Sequence, residues 1–139
     1  MLAGVPQAPL PPDLQRFLAK PRPAVIATIR PDGSPVTAAC WYEWTDRGVL
    51  LTMDADSRRI QNIRRDPRVA LTVLGDSWYT QVSLLGRAVE IQDDLEFMDA
   101  DRLSIRYLGE PYDRRDHPGV TVIVDVERWH VWGDPSASS

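Results

Sequence analysis

Residues 50–73, LLTMDADSRRIQNIRRDPRVALTV, constrain this chain more than any other stretch. An apolar, β-type run over 49–53 meets an acidic turn, Asp54-Ala55-Asp56, and Ser57-Arg58-Arg59 then opens a helical segment. Ile60 and Ile63 stand three apart and so share one helix face. Asp66-Pro67 ends the helix, because a proline pushes the residue before it out of the α region. A second β-type run, 69–73, follows at once. The unit reads strand, tight turn, short helix, strand.

Its chemistry lies where the strand becomes the helix. The first backbone N–H groups of a helix have no partner within it, and the helix dipole makes that end positive, so it attracts an anion. Ser57 adds a hydroxyl, and Arg58 and Arg59 add guanidinium forks suited to a phosphate. The chain carries a net charge of -4, yet Arg58, Arg59, Arg64, Arg65 and Arg68 crowd into this one segment. Positive charge gathered locally on an acidic protein points to a particular anionic ligand. It argues against nucleic acid, whose backbone is bound by a broad basic face. The alternative is a solvated basic helix face with Ser57 or Asp56 as an ordinary N-cap.

The remaining chain reads as one domain over 13–133, between a loose, Pro-rich start over 1–12 and a small polar tail over 134–139. The start has no basic region ahead of an apolar run, so a signal peptide is not expected. No stretch approaches the ~18 apolar residues of a membrane span. The single cysteine, Cys40, excludes an intrachain disulfide and fits a reducing, cytoplasmic setting. Leu14, Phe17 and Leu18 hold helical spacing, and Pro21 and Pro23 stop that helix. Residues 24–29 and 36–44 flank the turn Pro31-Asp32-Gly33-Ser34 as a hairpin, and 49–53 pairs back after Thr45-Asp46-Arg47-Gly48. After 69–73 comes a long β-type run, 78–91, in which Gly86 marks a bulge or bend. Asp93-Asp94 starts a helix in which Leu95, Met98, Arg102, Ile105 and Leu108 keep helical spacing. The last strand spans 120–132. Six or seven short strands with turns between them predict a mainly β fold, a small closed or partly closed barrel with short helices.

Motif chemistry is otherwise sparse. Two histidines, His117 and His130, make no metal-ligand spacing, and no metal site is expected. There is no G-x-S-x-G, no P-loop and no G-x-G-x-x-G. The aromatics are richer: Trp41, Tyr42 and Trp44 on one strand, Trp78 and Tyr79 on another, and Trp129 and Trp132 on the last. They are either core and interface filler or the walls of a slot for a flat ring. Beside an anion site, the second option describes a pocket for a flat ring that carries a phosphate.

At this point a resemblance enters. Ser57-Arg58-Arg59, Asn62 and Asp66-Pro67, set between two strands, resemble the phosphate-binding segment of the flavin-binding split-barrel superfamily that includes pyridoxamine phosphate oxidase. Arg59 stands where that family usually has lysine. Ala27-Thr28-Ile29-Arg30-Pro31-Asp32-Gly33-Ser34-Pro35, Trp41-Tyr42, Asn62-Ile63-Arg64-Arg65-Asp66-Pro67-Arg68 and the closing Arg128-Trp129-His130-Val131-Trp132-Gly133 are similar to the actinobacterial branch that uses the deazaflavin coenzyme F420.

The resemblance implies a six-stranded antiparallel split β-barrel that forms a homodimer, with coenzyme sites across the subunit interface. It implies that Ser57 and Arg59 hold the coenzyme phosphate with Arg58 assisting, and that Thr52 and Asn62 shape the pocket. Thr37, Ala38, Ala39 and Trp41 would lie along the ring, with Trp78, Tyr79 and the partner's closing strand over it. The function implied is hydride transfer from reduced F420 to an unsaturated or quinone-like small molecule. The alternatives are an FMN-dependent oxidase or reductase and a coenzyme-binding protein without turnover. Tyr42, Tyr79 and His130 are the candidates for a proton donor.

Overall fold

Two residues in the middle of the predicted strand 36–44 decide the architecture. The computed structural model describes residues 9–138. In it that run is broken at Trp41-Tyr42 into β2 (Pro35–Cys40) and β3 (Glu43–Thr45). Tyr42 is the cause: its ring is fully buried and its hydroxyl donates to the Lys20 carbonyl at 2.9 Å. A side chain anchored that way cannot continue the flat alternation of a single strand.

The other strands are β1 (Ala24–Ile29), β4 (Gly48–Asp54), β5 (Arg68–Leu74), β6 (Gln81–Asp93) and β7 (Gly119–Trp132). They form one seven-stranded antiparallel sheet in the order β2-β1-β5-β6-β7-β4-β3. The two ends of that ladder are β2 and β3, yet Cys40 and Glu43 are only three residues apart in the chain. Three extended residues reach roughly 11 Å. The sheet therefore curls until its two edges nearly meet, but no ladder joins them. This corrects the expected six-stranded barrel: there are seven strands, and the sheet is curled without being closed.

Its inner face is filled by alternate residues, as a period of two requires. Ile26, Leu71, Val73, Val82, Leu84, Val49, Leu51, Val122 and Val124 are all buried. Helix α1 (Pro12–Ala19) adds Leu14, Phe17 and Leu18, and α2 (Arg58–Arg65) adds Ile60 and Ile63 to the same core. Both sets match the predicted helix faces. Gly86 sits at a register shift between β6 and β7. A Cβ there would collide with the Asp125 carbonyl oxygen, so the bulge needs glycine.

The third helix departs from expectation. A 3-10 turn (Leu95–Phe97) comes first, and α3 (Met98–Leu108) begins four residues after Asp94. Leu95, Met98, Ile105 and Leu108 are exposed, whereas Ala100, Leu103 and Ser104 face the sheet over Leu50 and Ile123. Small residues on that face let the helix lie close to the strands, which large ones would prevent. Asp94 remains the helix cap from a distance. Its buried carboxylate accepts from the Asp99 and Ala100 N–H groups at 2.8 and 2.9 Å. Glu96 and Phe97 between them are held at positive φ, with Arg115 reaching the Glu96 carbonyl at 3.2 Å and lying over the Phe97 ring.

The expected loose start over 1–12 lies largely outside the described residues. Of the expected tail, Pro135–Ser138 forms a 3-10 turn beside α1. No helix among the described residues is long and apolar enough to cross a membrane. Asp94→Ala removes both cap acceptors, and we expect a loss of about 1–2 kcal/mol in unfolding free energy. Urea titration followed by circular dichroism measures it, with an unchanged m-value.

Candidate functional site

Where the curled sheet fails to close, α2 and a cavity fill the gap. Past the short β3 the end of β4 is paired with β7 on one side only, and the chain turns there through Asp54-Ala55-Asp56 into α2. The Ser57 N–H donates to the Asp54 carbonyl at 3.1 Å, and the Ala55 N–H to the Pro118 carbonyl at 2.9 Å. Ser57 is the N-cap: its backbone is extended and its hydroxyl oxygen accepts the Ile60 N–H at 3.3 Å. The Ser57 carbonyl takes the Gln61 N–H. The N–H groups of Arg58 and Arg59 have no acceptor among the described residues, and no acidic side chain stands in the first turn. That leaves two backbone donors and two guanidinium groups at a positive helix end.

The cavity has a volume of about 570 Å³ and runs along α2. Thr37 and Ala38 of β2 line it together with Ser57, Arg58, Arg59 and Asn62. These are the predicted site residues that the fold brings together. Apolar wall comes from Ile26, Val36, Ala38 and Met53, and no tryptophan lines it. Arg30, Gln61 and Arg65 also line it, and the sequence reading did not assign them. Arg65 stood in the basic cluster, but nothing in its spacing separates it from Arg64. The hydrogen bonds from its guanidinium to the Ile29 carbonyl and to Asn62, both at 2.8 Å, show which way it turns. Arg68 is occupied elsewhere: it grips Asp66 at 2.7 and 3.0 Å and holds that carboxyl down at about 2.

The other predicted residues lie apart from this cavity within one chain. Thr52 stands opposite Thr121, whose hydroxyl donates to Asp99. It therefore faces the α3 side, and its neighbour Met53 faces the cavity instead. Ala39 and Trp41 point to the other side of the sheet, where Trp41 stacks on Tyr107 at 5.4 Å. Trp78 and Tyr79 occupy the turn between β5 and β6 and are 74% and 73% exposed. That turn is near the Ala24 end of β1, while Arg65 binds at the Ile29 end. Tyr42 is buried with its hydroxyl already donating, and burial pushes its proton affinity up. His130 lies opposite Ser83 and lines a hollow of about 170 Å³ on the sheet's outer side.

No carboxylate, histidine, tyrosine or cysteine lines the cavity. It can bind and orient an anion beside apolar walls, and it offers no acid or base of its own. Among the described residues no three His, Cys, Asp or Glu side chains are gathered as a metal ion would need. A volume of this size is that of a small-molecule or cofactor site.

The chain belongs to a family of flavin-binding split-barrel proteins: residues 10–133 match the family model for pyridoxamine 5'-phosphate oxidase. An F420 reductase is 26% identical, with a TM-score of 0.78, over 87% of this chain and 98% of its own. A conserved hypothetical protein from Mycobacterium tuberculosis is 29% identical, with a TM-score of 0.67, over 94% of this chain and 87% of its own. The heme storage protein HutZ from Vibrio cholerae shares the fold at 14% identity and a TM-score of 0.62, over 91% of this chain and 96% of its own. No curated protein sequence gave a significant match.

Cys40 on β2 is half-buried, and desolvation pushes its thiol up to about 11 while the Arg59 charge pulls the other way. A thiol with a raised value stays protonated below that pH and is a poor nucleophile. We expect the native protein at pH 8 to react with Ellman's reagent far more slowly than the same chain in guanidinium chloride. Equal rates would place Cys40 in an open setting.

Proposed function

We propose that this cavity holds the phosphate of a flavin-type coenzyme, with F420 preferred over FMN, and that the chain is an F420-dependent oxidoreductase. The observation that carries the reading is the start of α2, where Ser57, Arg58, Arg59 and two free N–H groups meet at the mouth of the unclosed sheet. Family membership and the likeness to an F420 reductase support it. The residues fit the group: charge-assisted donors for a phosphate at one end and Ile26, Val36, Ala38 and Met53 for a ring.

When bound, the deazaflavin supplies the hydride chemistry. The protein's own part is to bind and orient. Ser57, Arg58 and Arg59 fix the phosphate, and the apolar wall keeps water from one side of the ring. The cavity has no acid or base among its lining residues, which agrees with a coenzyme that carries the reaction. The same fact favours the second reading, a coenzyme-binding protein without turnover. Substrate-dependent oxidation of reduced F420, tested against unsaturated and quinone-like acceptors, separates the two.

We also propose a homodimer. Trp78, Tyr79 and Trp132 are exposed, and a second copy would cover them and bring aromatic surface over the ring. Replacing Arg59 with alanine removes one charged hydrogen-bonding partner, worth roughly 1.5–3 kcal/mol. We therefore expect F420 affinity to fall by about 10- to 150-fold in a fluorescence titration. Unchanged affinity would remove the basis of the proposal.

A further inference from the structure

Asn62 was expected to shape the coenzyme pocket as a contact residue, but its side chain is turned inward and is already committed. It is 6% exposed, its amide donates to the Thr28 hydroxyl at 3.3 Å, and its carbonyl oxygen accepts from Arg65 at 2.8 Å. The same Arg65 nitrogen donates to the Ile29 carbonyl at 2.8 Å. Arg65 itself is exposed and lines the cavity next to Arg30. A long arginine side chain on the last turn of a short helix ordinarily samples many rotamers in water. Here one nitrogen is held by two acceptors, which leaves the rest of a planar fork fixed at the cavity's edge.

This places positive charge at both ends of one cavity. Arg58 and Arg59 stand at the start of α2, and Arg65 with Arg30 stands at its end. The helix has eight residues, so at ~1.5 Å per residue the two ends are roughly 12 Å apart. Arg65 is pinned at Ile29 and Asn62 and so is not free to swing toward a group held at Ser57. Neither Arg65 nor Arg30 has an ion pair among the described residues, although the Arg30 charge acts on nearby Asp32, whereas Arg68 is neutralised by Asp66.

We infer that Arg65 is a second anion contact of this site, held in place by Asn62 as a positioning residue. The ligand then carries two anionic groups, one at each end of α2. The inference rests on the reading of the cavity as a coenzyme site and adds a requirement to it. FMN bears a single phosphate, whereas F420 bears carboxylates beyond its phosphodiester, so the two serve as the one-anion and the several-anion probe.

The experiment titrates wild type, Arg59→Ala, Arg65→Gln, Asn62→Leu and Asn62→Asp with each coenzyme, at low and moderate salt. Arg65→Gln is expected to weaken F420 by tenfold or more, the scale of a lost charged hydrogen bond, and FMN by less than about twofold on the same scale. Asn62→Leu should repeat most of that selective loss, and the double variant should add little, because the two residues act as one unit. Asn62→Asp puts a carboxylate on Arg65, as Asp66 does on Arg68, and should therefore not restore F420 binding. The salt dependence of F420 binding should become shallower in Arg65→Gln, which a packing defect alone would not produce. Equal losses for both coenzymes, or none for either, overturn the second contact. A selective loss in Arg65→Gln without one in a folded Asn62→Leu overturns the positioning role. Failure of wild type to bind either coenzyme overturns the coenzyme reading itself, a result distinct from the others.

Discussion

Everything in this fold follows from a short link that must join the two ends of a seven-stranded ladder. Cys40 closes β2 at one edge of the sheet and Glu43 opens β3 at the other, with only Trp41 and Tyr42 between them. A flat sheet of seven strands at ~4.8 Å spacing would set its edges nearly 30 Å apart. The link forbids that, so the sheet has to coil. The burial of Tyr42 and its bond to Lys20 hold the link where it is. What the coil does not achieve is pairing of its edges, because β3 is three residues long and β4 runs on past it. The resulting slit lets α2 reach the core from outside and leaves room beside it.

The helix that enters has two jobs that conflict in sequence terms. Ile60 and Ile63 must seal an apolar core, while Arg58, Arg59 and Arg65 must face a polar cavity. An eight-residue helix meets both because residues three or four apart share a face. Its termini are fixed by different means. Ser57 caps the start through its hydroxyl, and the proline after Asp66 forces the end. Asp66 then accepts Arg68, which removes that arginine from the cluster and leaves the charge near the cavity to the others.

Much of this was legible in the residues. The α1 face, the hairpin turn at Pro31-Asp32-Gly33-Ser34, the limits of α2 and the bulge at Gly86 all followed from periodicity and turn chemistry. The break at Trp41-Tyr42 did not, since a run of apolar and aromatic residues reads as one strand until something buries a ring at its middle. Which face of α3 packs on the sheet was not legible either, for a related reason. Leu95, Met98, Ile105 and Leu108 outweigh Ala100 and Ser104 by hydrophobicity, but close packing on a sheet selects for size. The grouping of Ser57, Arg58 and Arg59 at one end of the cavity was visible because it depends on a helix start that the sequence marks. Arg65 and Asn62 depend on which way a side chain turns at β1, a fact of tertiary structure. The tryptophans drew attention by number, and within one chain none of them reaches the cavity.

The slit that α2 plugs has a consequence for motion. This helix is short and is tied to the sheet only by two isoleucines and by side-chain hydrogen bonds from Asn62 and Arg65 to β1. Local opening costs least where few buried contacts hold a segment, so α2 is the natural door of the molecule. A ligand that grips its amide groups would act as a bolt on that door. Deuterium uptake along residues 58–65 would then report occupancy directly, even for a compound that changes neither colour nor fluorescence.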